Sequence, residues 1–248
     1  MKRSFTLLLF LTLACRESVA PDAGTTAANE APATSSPAPV TPPPATPAAS
    51  TDTATPAPAA TGPKLMPVDE APRDPSLVAY RNQLLAAIRS RDANAVAALV
   101  DPKIRTSFGD GGGAAEFRKA LAREGAMEDL ELVLSNGGTF LGDEARAFWA
   151  PYVYSAWPEK YDAFQSFAAM GPNVPLRESK NPNSPVVTTL SYDIVTQVMT
   201  EGDLRQVKTA DGKIGWTEAK LLRSPIAHRA GFNKINGKWL MNAFVAGD

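Results

Sequence analysis

The chain has 248 residues, with 25 Lys and Arg against 26 Asp and Glu, a formal net charge of −1, one cysteine and one histidine. Near-neutral charge excludes a global field that would draw it to DNA or to an anionic surface, and no basic run is long enough to suggest nucleic acid. One cysteine excludes an internal disulfide, and one histidine argues against a zinc site built on several imidazoles.

The opening "MKRSFTLLLFLTLAC" carries Lys2 and Arg3, then an apolar run from Phe5 to Ala14. That run is too short for a spanning helix and has the length of a secretory h-region, so residues 1–14 read as a signal peptide. The stretch "LTLAC" resembles a bacterial lipoprotein box, although Thr12 stands where that family usually has Leu. The resemblance implies cleavage before Cys15 and a lipid anchor on its thiol, and Arg16 after the cysteine implies the outer membrane. The alternative is an ordinary signal peptide with a chance cysteine. Both place the protein outside the inner membrane, on the periplasmic face of the envelope.

Residues 15–73 then read as a lipidated Cys followed by a tether. Pro, Ala and Thr dominate from Pro21 to Pro63, with almost no bulky apolar residue to offset ordering entropy. A flexible coil of that length spans on the order of 40 Å. A merely protective or glycosylated spacer is the other reading.

Residues 74–168 read as an α+β domain. In "SLVAYRNQLLAAIRSRD" Leu77, Leu84, Leu85 and Ile88 recur at helical spacing, and Asp92 is placed to cap a second short helix. "KIRTSFG" reads as a strand, and "AAEFRKALAREGAMEDLELVLSNGG" as one helix interrupted near Gly125, or two. "TFLG" and "ARAFWAPYVYSAW" read as extended and aromatic-rich. In residues 225–248, Asn236-Gly237 predicts a two-residue hairpin turn between alternating runs, with Phe232, Ile235, Trp239, Met241 and Phe244 packing. The helix with "AAIRSRDANAVAALVDP" and the closing hairpin resemble the cone-shaped NTF2-like folds. This resemblance implies that the hairpin docks back on residues 75–165, with the intervening module inserted.

Residues 169–224 contain "VPLRES", "SPVVTTL" and "LRQVKTADGKIGWTEAKLL". Their order resembles the bacterial SH3 (SH3b) family and implies a small closed β-barrel. Asp211-Gly212 suits a hairpin turn, Gly215 lets flanking groups approach, and Trp216 fills the interior or rim. Pro175, Ser179-Lys180 and Leu204 depart from the family pattern, and Leu204 removes an aromatic that members use toward ligand. The expected fold class is therefore α+β: a helix-plus-strand domain, an SH3b-like barrel and a C-terminal hairpin.

Chemistry is sparse. Cys15 lies in the export region, so no thiolate pairs with His228, and no G-x-S-x-G elbow is present. Glu124, Glu128, Asp129 and Glu131 read as a solvated helix face. "GDGGGAAEF" lacks the residues of a phosphate loop. Lone His228 reads as a loop or strand-edge residue. No catalytic residue, metal or cofactor is assigned.

The leading expectation is non-catalytic binding of peptidoglycan or a periplasmic protein partner through Tyr192, Asp193 and Trp216. The alternative is small-ligand binding or isomerase-type chemistry in an NTF2-like cavity lined by Trp149, Tyr152 and Tyr154. A third is a structural or inhibitory partner of another envelope enzyme.

Overall fold

The computed structural model describes residues 58–109, 112–142 and 144–247. The signal segment, Cys15 and the Pro-rich run up to residue 57 lie outside the described residues.

Asp74 fixes where the first helix starts. Its carboxylate accepts from the Ser76 amide at 2.9 Å, and Pro75, which has no amide hydrogen to satisfy, takes the first helical position. Helix α1 (Pro75–Arg89) buries Leu77, Leu84, Ala87 and Ile88 on one face. Asp92 caps α2 (Ala93–Ala98) by accepting from the Asn94 and Ala95 amides. Helices α3 (Ala114–Leu121) and α4 (Ala126–Ser135) are separated at Gly125, whose φ of 76° only glycine adopts without strain.

Strands β1 (Thr139–Leu141) and β2 (Ala147–Ala150) follow, then the one-turn helix α5 (Tyr152–Ser155). The aromatic segment is thus not extended throughout, as its pattern predicts; it turns at Pro151, which cannot donate to a ladder. The strand predicted at "KIRTSFG" is reduced to bridges at Arg105, to Gly112 and to Ala243.

At the C-terminus, β10 (Arg229–Ile235) and β11 (Lys238–Val245) form a hairpin. Its turn residues Asn236 and Gly237 have φ of 50° and 78°, the twist-matched geometry of a two-residue loop. Strand β10 pairs with β2, setting Phe232 opposite Phe148 and Gly231 opposite Trp149, so the antiparallel order is β1-β2-β10-β11. Helices α1 to α4 cover one face of this sheet. Phe117, Leu130, Leu134, Phe148, Phe232 and Met241 are fully buried between the two layers. Rings meet edge to face from Tyr80 to Phe232 (6.2 Å), Phe232 to Phe148 (6.0 Å) and Phe148 to Phe140 (5.3 Å). The Tyr80 hydroxyl donates to the Leu99 carbonyl and accepts from the Met241 amide, tying α1 to β11. Burial pushes that hydroxyl up to about 12.

The remaining strands are β3 (Ser166–Ala169), β4 (Val174–Arg177), β5 (Val186–Leu190), β6 (Ile194–Glu201), β7 (Leu204–Lys208), β8 (Ile214–Glu218) and β9 (Leu222–Arg223). They make an antiparallel sheet in the order β5-β4-β8-β7-β6-β3-β9. The SH3b resemblance implies closure into a barrel, but among the described residues no ladder joins β5 to β9. The physical reason is at the β5 edge, where the Ala60 amide donates to the Thr189 carbonyl and residues 58–60 occupy the position a closing strand would need. Curvature is nonetheless pronounced enough for Leu190 of β5, Leu176 of β4, Val207 of β7 and Leu222 of β9 to share one core. Gly215 permits the crossing of β4 and β8, because a Cβ there would sit 2.6 Å from the Arg177 carbonyl oxygen and 2.8 Å from Leu176 Cγ.

Residues 58–73, which composition places in the tether, lie against the fold. Ala60 joins the core of the seven-stranded sheet, and Leu65 is buried with Tyr152, Val153, Ala168 and Ile194. Gly138 donates to the Val68 carbonyl and accepts from the Glu70 amide, and Ala71 is fully buried under α1. The packed region thus starts before residue 74.

Candidate functional site

A cavity of about 330 Å³ lies beside the break at Gly125, between α3, α4 and the end of β11. Its apolar walls are Phe117, Ala120 and Leu121 from α3, Ala126 from α4, and Phe244 from β11. Phe117 meets Phe244 edge to face at 6.0 Å.

One side of the cavity is polar. Asp129, in the first turn of α4, and His228, just before β10, line it together with Thr106, Arg123 and Glu124. His228 Nδ1 lies 2.5 Å from Asp129 Oδ2, and its ring stacks on Phe244 with centroids 4.7 Å apart and an interplanar angle of 9°. Arg223, at the end of β9, reaches Asp129 Oδ1 with Nη1 at 3.5 Å and donates from Nη2 to the His228 carbonyl at 2.7 Å. Arg223 is only 8 % exposed, whereas His228 is 45 % exposed at its side chain.

Burial pushes the Asp129 carboxyl upward, but the His228 hydrogen bond and the Arg223 charge outweigh it and hold the group below its ordinary value. Burial pulls the Arg223 guanidinium down, with Asp129 opposing. Asp129 therefore stays an ionised acceptor. It orients the imidazole through Nδ1, and Nε2 is left without a protein partner among the described residues. Chemically, such a ring nitrogen can form a hydrogen bond with a molecule in the cavity.

Sequence reasoning misses this pair. By sequence Asp129 is one of several solvated carboxylates, and His228 is a loop residue. The two are 99 positions apart, and only the return of the hairpin to the helical layer joins them. The available signal is the chain's one histidine beside a predicted hairpin.

The residues that the sequence singles out are dispersed. Asp193 is 2 % exposed and receives Lys64 Nζ at 3.0 Å on both oxygens and the Ser191 amide at 2.6 Å, so it anchors the segment that carries Lys64. Tyr192 sits in the adjoining turn with φ of 58°. Trp216 is apart from both, on a groove of about 70 Å³ with Pro175 and Pro182, and Lys180 Nζ lies over its ring at 5.5 Å. Trp149 lies across Gly231, where a Cβ would meet its ring at 2.9 Å, and packs against Tyr154 at 5.2 Å. The Arg229 guanidinium covers Tyr154 at 4.6 Å. Tyr152 is buried among Leu65 and Val153, and burial together with Tyr192 pushes its hydroxyl up to about 12. Trp149, Tyr152 and Tyr154 do not line the cavity beside His228. Cys15 lies outside the described residues.

No family model matches the chain, and no curated protein matches it. Among solved structures it is similar to a chain named Rd1NTF2_05 (13 % identity, 71 % of this chain and 99 % of that one, TM-score 0.27). It is also similar to an NTF-2 like protein of unknown function from Shewanella oneidensis MR-1 (12 % identity, 71 % and 99 % covered, TM-score 0.26). A third is a protein of unknown function with a cystatin-like fold from Nostoc punctiforme PCC 73102 (14 % identity, 73 % and 93 % covered, TM-score 0.24). At these scores the likeness is remote, and the chain's own strands and helices describe its fold.

Proposed function

We propose that this protein binds a small, largely apolar molecule in the cavity between α3, α4 and β11. The observation that carries this is a cavity of about 330 Å³ in which apolar walls meet a polar side that holds one oriented pair, Asp129 and His228, beside Thr106, Arg123 and Glu124. That volume is at the small end of ligand pockets, which run about 300–1,000 Å³, and a few placed polar groups on an apolar lining are what such pockets use to orient a guest. Helices laid over an antiparallel sheet, with the C-terminal hairpin supplying Phe244, form the cavity in an arrangement that resembles NTF2-like folds. The test is ligand-observed NMR on the full chain with a library of small aromatic and aliphatic fragments, repeated with Ala120→Phe to fill the cavity. Fragments that bind the native chain and are lost in Ala120→Phe support the reading; fragments that bind both equally, or none, contradict it.

A second reading assigns peptidoglycan or protein binding to the seven-stranded half as an SH3b-like module. It is favoured by the groove in which Trp216 meets Pro175, Pro182 and Lys180. Co-sedimentation with cell-wall sacculi, native against Trp216→Ala, tests it. Export and acylation at Cys15 complete that proposal, and the mass of the mature N-terminus checks them.

A further inference from the structure

We infer that the groove along residues 188–194, which the chain fills with its own residues 58–65, is a receptor for an extended polypeptide segment. The partner it fits presents a small residue followed four positions later by Lys-Leu, and exchanges with the resident segment. The groove is separate from the cavity beside His228. It is built from main chain, one apolar pocket and one charge. Strand β5 ends its sheet, and residues 58–60 run in parallel along that edge. The Ala60 amide donates to the Thr189 carbonyl at 2.8 Å, while the Thr189 amide and the Thr188 hydroxyl donate to the Pro58 carbonyl at 3.3 and 2.7 Å. Farther along, the Ile194 amide donates to the Pro63 carbonyl at 2.9 Å and the Leu65 amide to the Tyr192 carbonyl at 2.8 Å. Between them the Thr61 hydroxyl donates to Asp211 at 3.4 Å. Main-chain pairing beside pockets for chosen side chains is how a sheet recognises an extended segment.

Two side chains are read. Leu65 is buried with Tyr152, Val153, Ala168 and Ile194. Lys64 Nζ meets both Asp193 oxygens and the Ser191 carbonyl at 3.0 Å, and the Asp193 side chain is 2 % exposed. A carboxylate so enclosed demands a cation, and an acidic residue at that position is rejected. The resident segment holds itself lightly. Of residues 58–65 only Ala60 and Leu65 are buried. Pro58 and Pro63 bring no amide hydrogen, and Gly62 carries the highest ordering entropy. Met66 and Pro67 are exposed, so the segment lifts there without breaking the bond from the Gly138 amide to the Val68 carbonyl.

The experiment uses the full chain and a labelled peptide of residues 56–66, PAPAATGPKLM, followed by fluorescence anisotropy. In the native chain the tethered segment competes at an effective concentration on the order of millimolar, so the peptide should bind weakly. In the variant carrying Lys64→Ala and Leu65→Ala, affinity is expected to rise about tenfold or more. The same peptide with Lys64→Glu should bind that variant at least about tenfold more weakly. No gain in the variant, or equal binding of the two peptides, overturns the inference. A native dimer in sedimentation that Leu65→Ala abolishes also overturns it, because the occupant would then be a second copy of this chain. Should the variant fail to fold, hydrogen exchange on the native chain decides. The Ala60 and Leu65 amides should exchange at least about tenfold faster than that of core Val207, through opening of the segment alone. Equal protection would mean that the segment leaves only on global unfolding, and overturns the inference. None of these outcomes bears on the cavity between α3, α4 and β11.

Discussion

The two sheets of this chain solve the same burial problem with different side chains, and only one solution leaves room for a guest. The seven-stranded sheet curls around mostly small aliphatic groups, Ala169, Val174, Leu176, Leu190, Val195 and Val207, with Phe167 the one aromatic ring of that cluster. Its groove at Trp216 measures about 70 Å³ and is overlaid by Lys180. The four-stranded sheet is covered by helices and packed with Phe117, Phe148, Phe232, Trp239 and Phe244. Where α3 and α4 part at Gly125, those rings leave a cavity of about 330 Å³. The proposed site lies where the layers fit imperfectly, and the better-fitted half carries the smaller opening.

That contrast can be broken most strongly at Phe232, which is 1 % exposed and links two ring contacts. Phe232→Ala is expected to cost about 3–5 kcal/mol in urea denaturation. Amide protection should fall first in β10 and β11 and remain in β6 and β7; equal loss throughout would mean that the halves do not differ in this respect.

The converse test removes residues 1–65. Ala60 and Leu65 leave their cores, β5 loses the chain along its edge, and buried Asp193 loses Lys64. An expected loss of about 2–4 kcal/mol should be read as lost hydrogen-exchange protection in β5, with the hairpin turn at Asn236 unaffected.

Asp74 sharpens the comparison from the helical side. Besides capping α1, its carboxylate receives Lys234 Nζ at 2.6 Å and Trp239 Nε1 at 3.1 Å, joining the helix start to the hairpin. Asp74→Ala is expected to cost about 2 kcal/mol, from the cap and a charge-assisted hydrogen bond. Hydrogen bonds from Lys234 and Ser76 hold this carboxyl well below the usual carboxylate range. Because the folded value is depressed, the unfolded chain binds the proton first. The contribution is therefore complete above the ordinary aspartate value near pH 4 and drains as pH falls from there toward the folded value. Asp129 shifts in the same direction, its partners His228 and Arg223 prevailing over burial. Unfolding free energies of native and Asp74→Ala should differ at pH 6 and converge as the pH is lowered below about 3. A gap that widens with acid contradicts the assignment.

The smallest effect is expected at Lys180. Its ammonium lies over Trp216 on the surface, so Lys180→Ala should cost less than about 1 kcal/mol. A larger loss would show that the seven-stranded half depends on this covering side chain more than its core suggests.

Local chemistry is legible in the sequence. Asp92 at a helix start, Gly125 between helices and Asn236-Gly237 at the hairpin each act on near neighbours in the chain, and their geometry follows from φ limits and amide satisfaction. What is not legible depends on encounters between distant segments. Residues 58–60 look like tether by composition, yet the edge of β5 needs a partner, and they supply it. The Asp129–His228 pair needs α4 and the start of β10 to meet across 99 positions, and no spacing rule encodes that. Tyr192, Asp193 and Trp216 stand out only by their place in an expected barrel, whereas the structure ties Asp193 to Lys64 and sets Trp216 on another groove.

One histidine gives one imidazole signal, and that makes the central claim directly measurable. In a titration of the full chain with a small aromatic fragment, followed by imidazole and methyl NMR, the ring signals of His228 should move saturably, together with the methyl signals of Leu121 and Ala126. An imidazole signal that stays fixed while those methyls shift would leave a cavity without its polar anchor. If neither responds, the space between α3, α4 and β11 is not a ligand site.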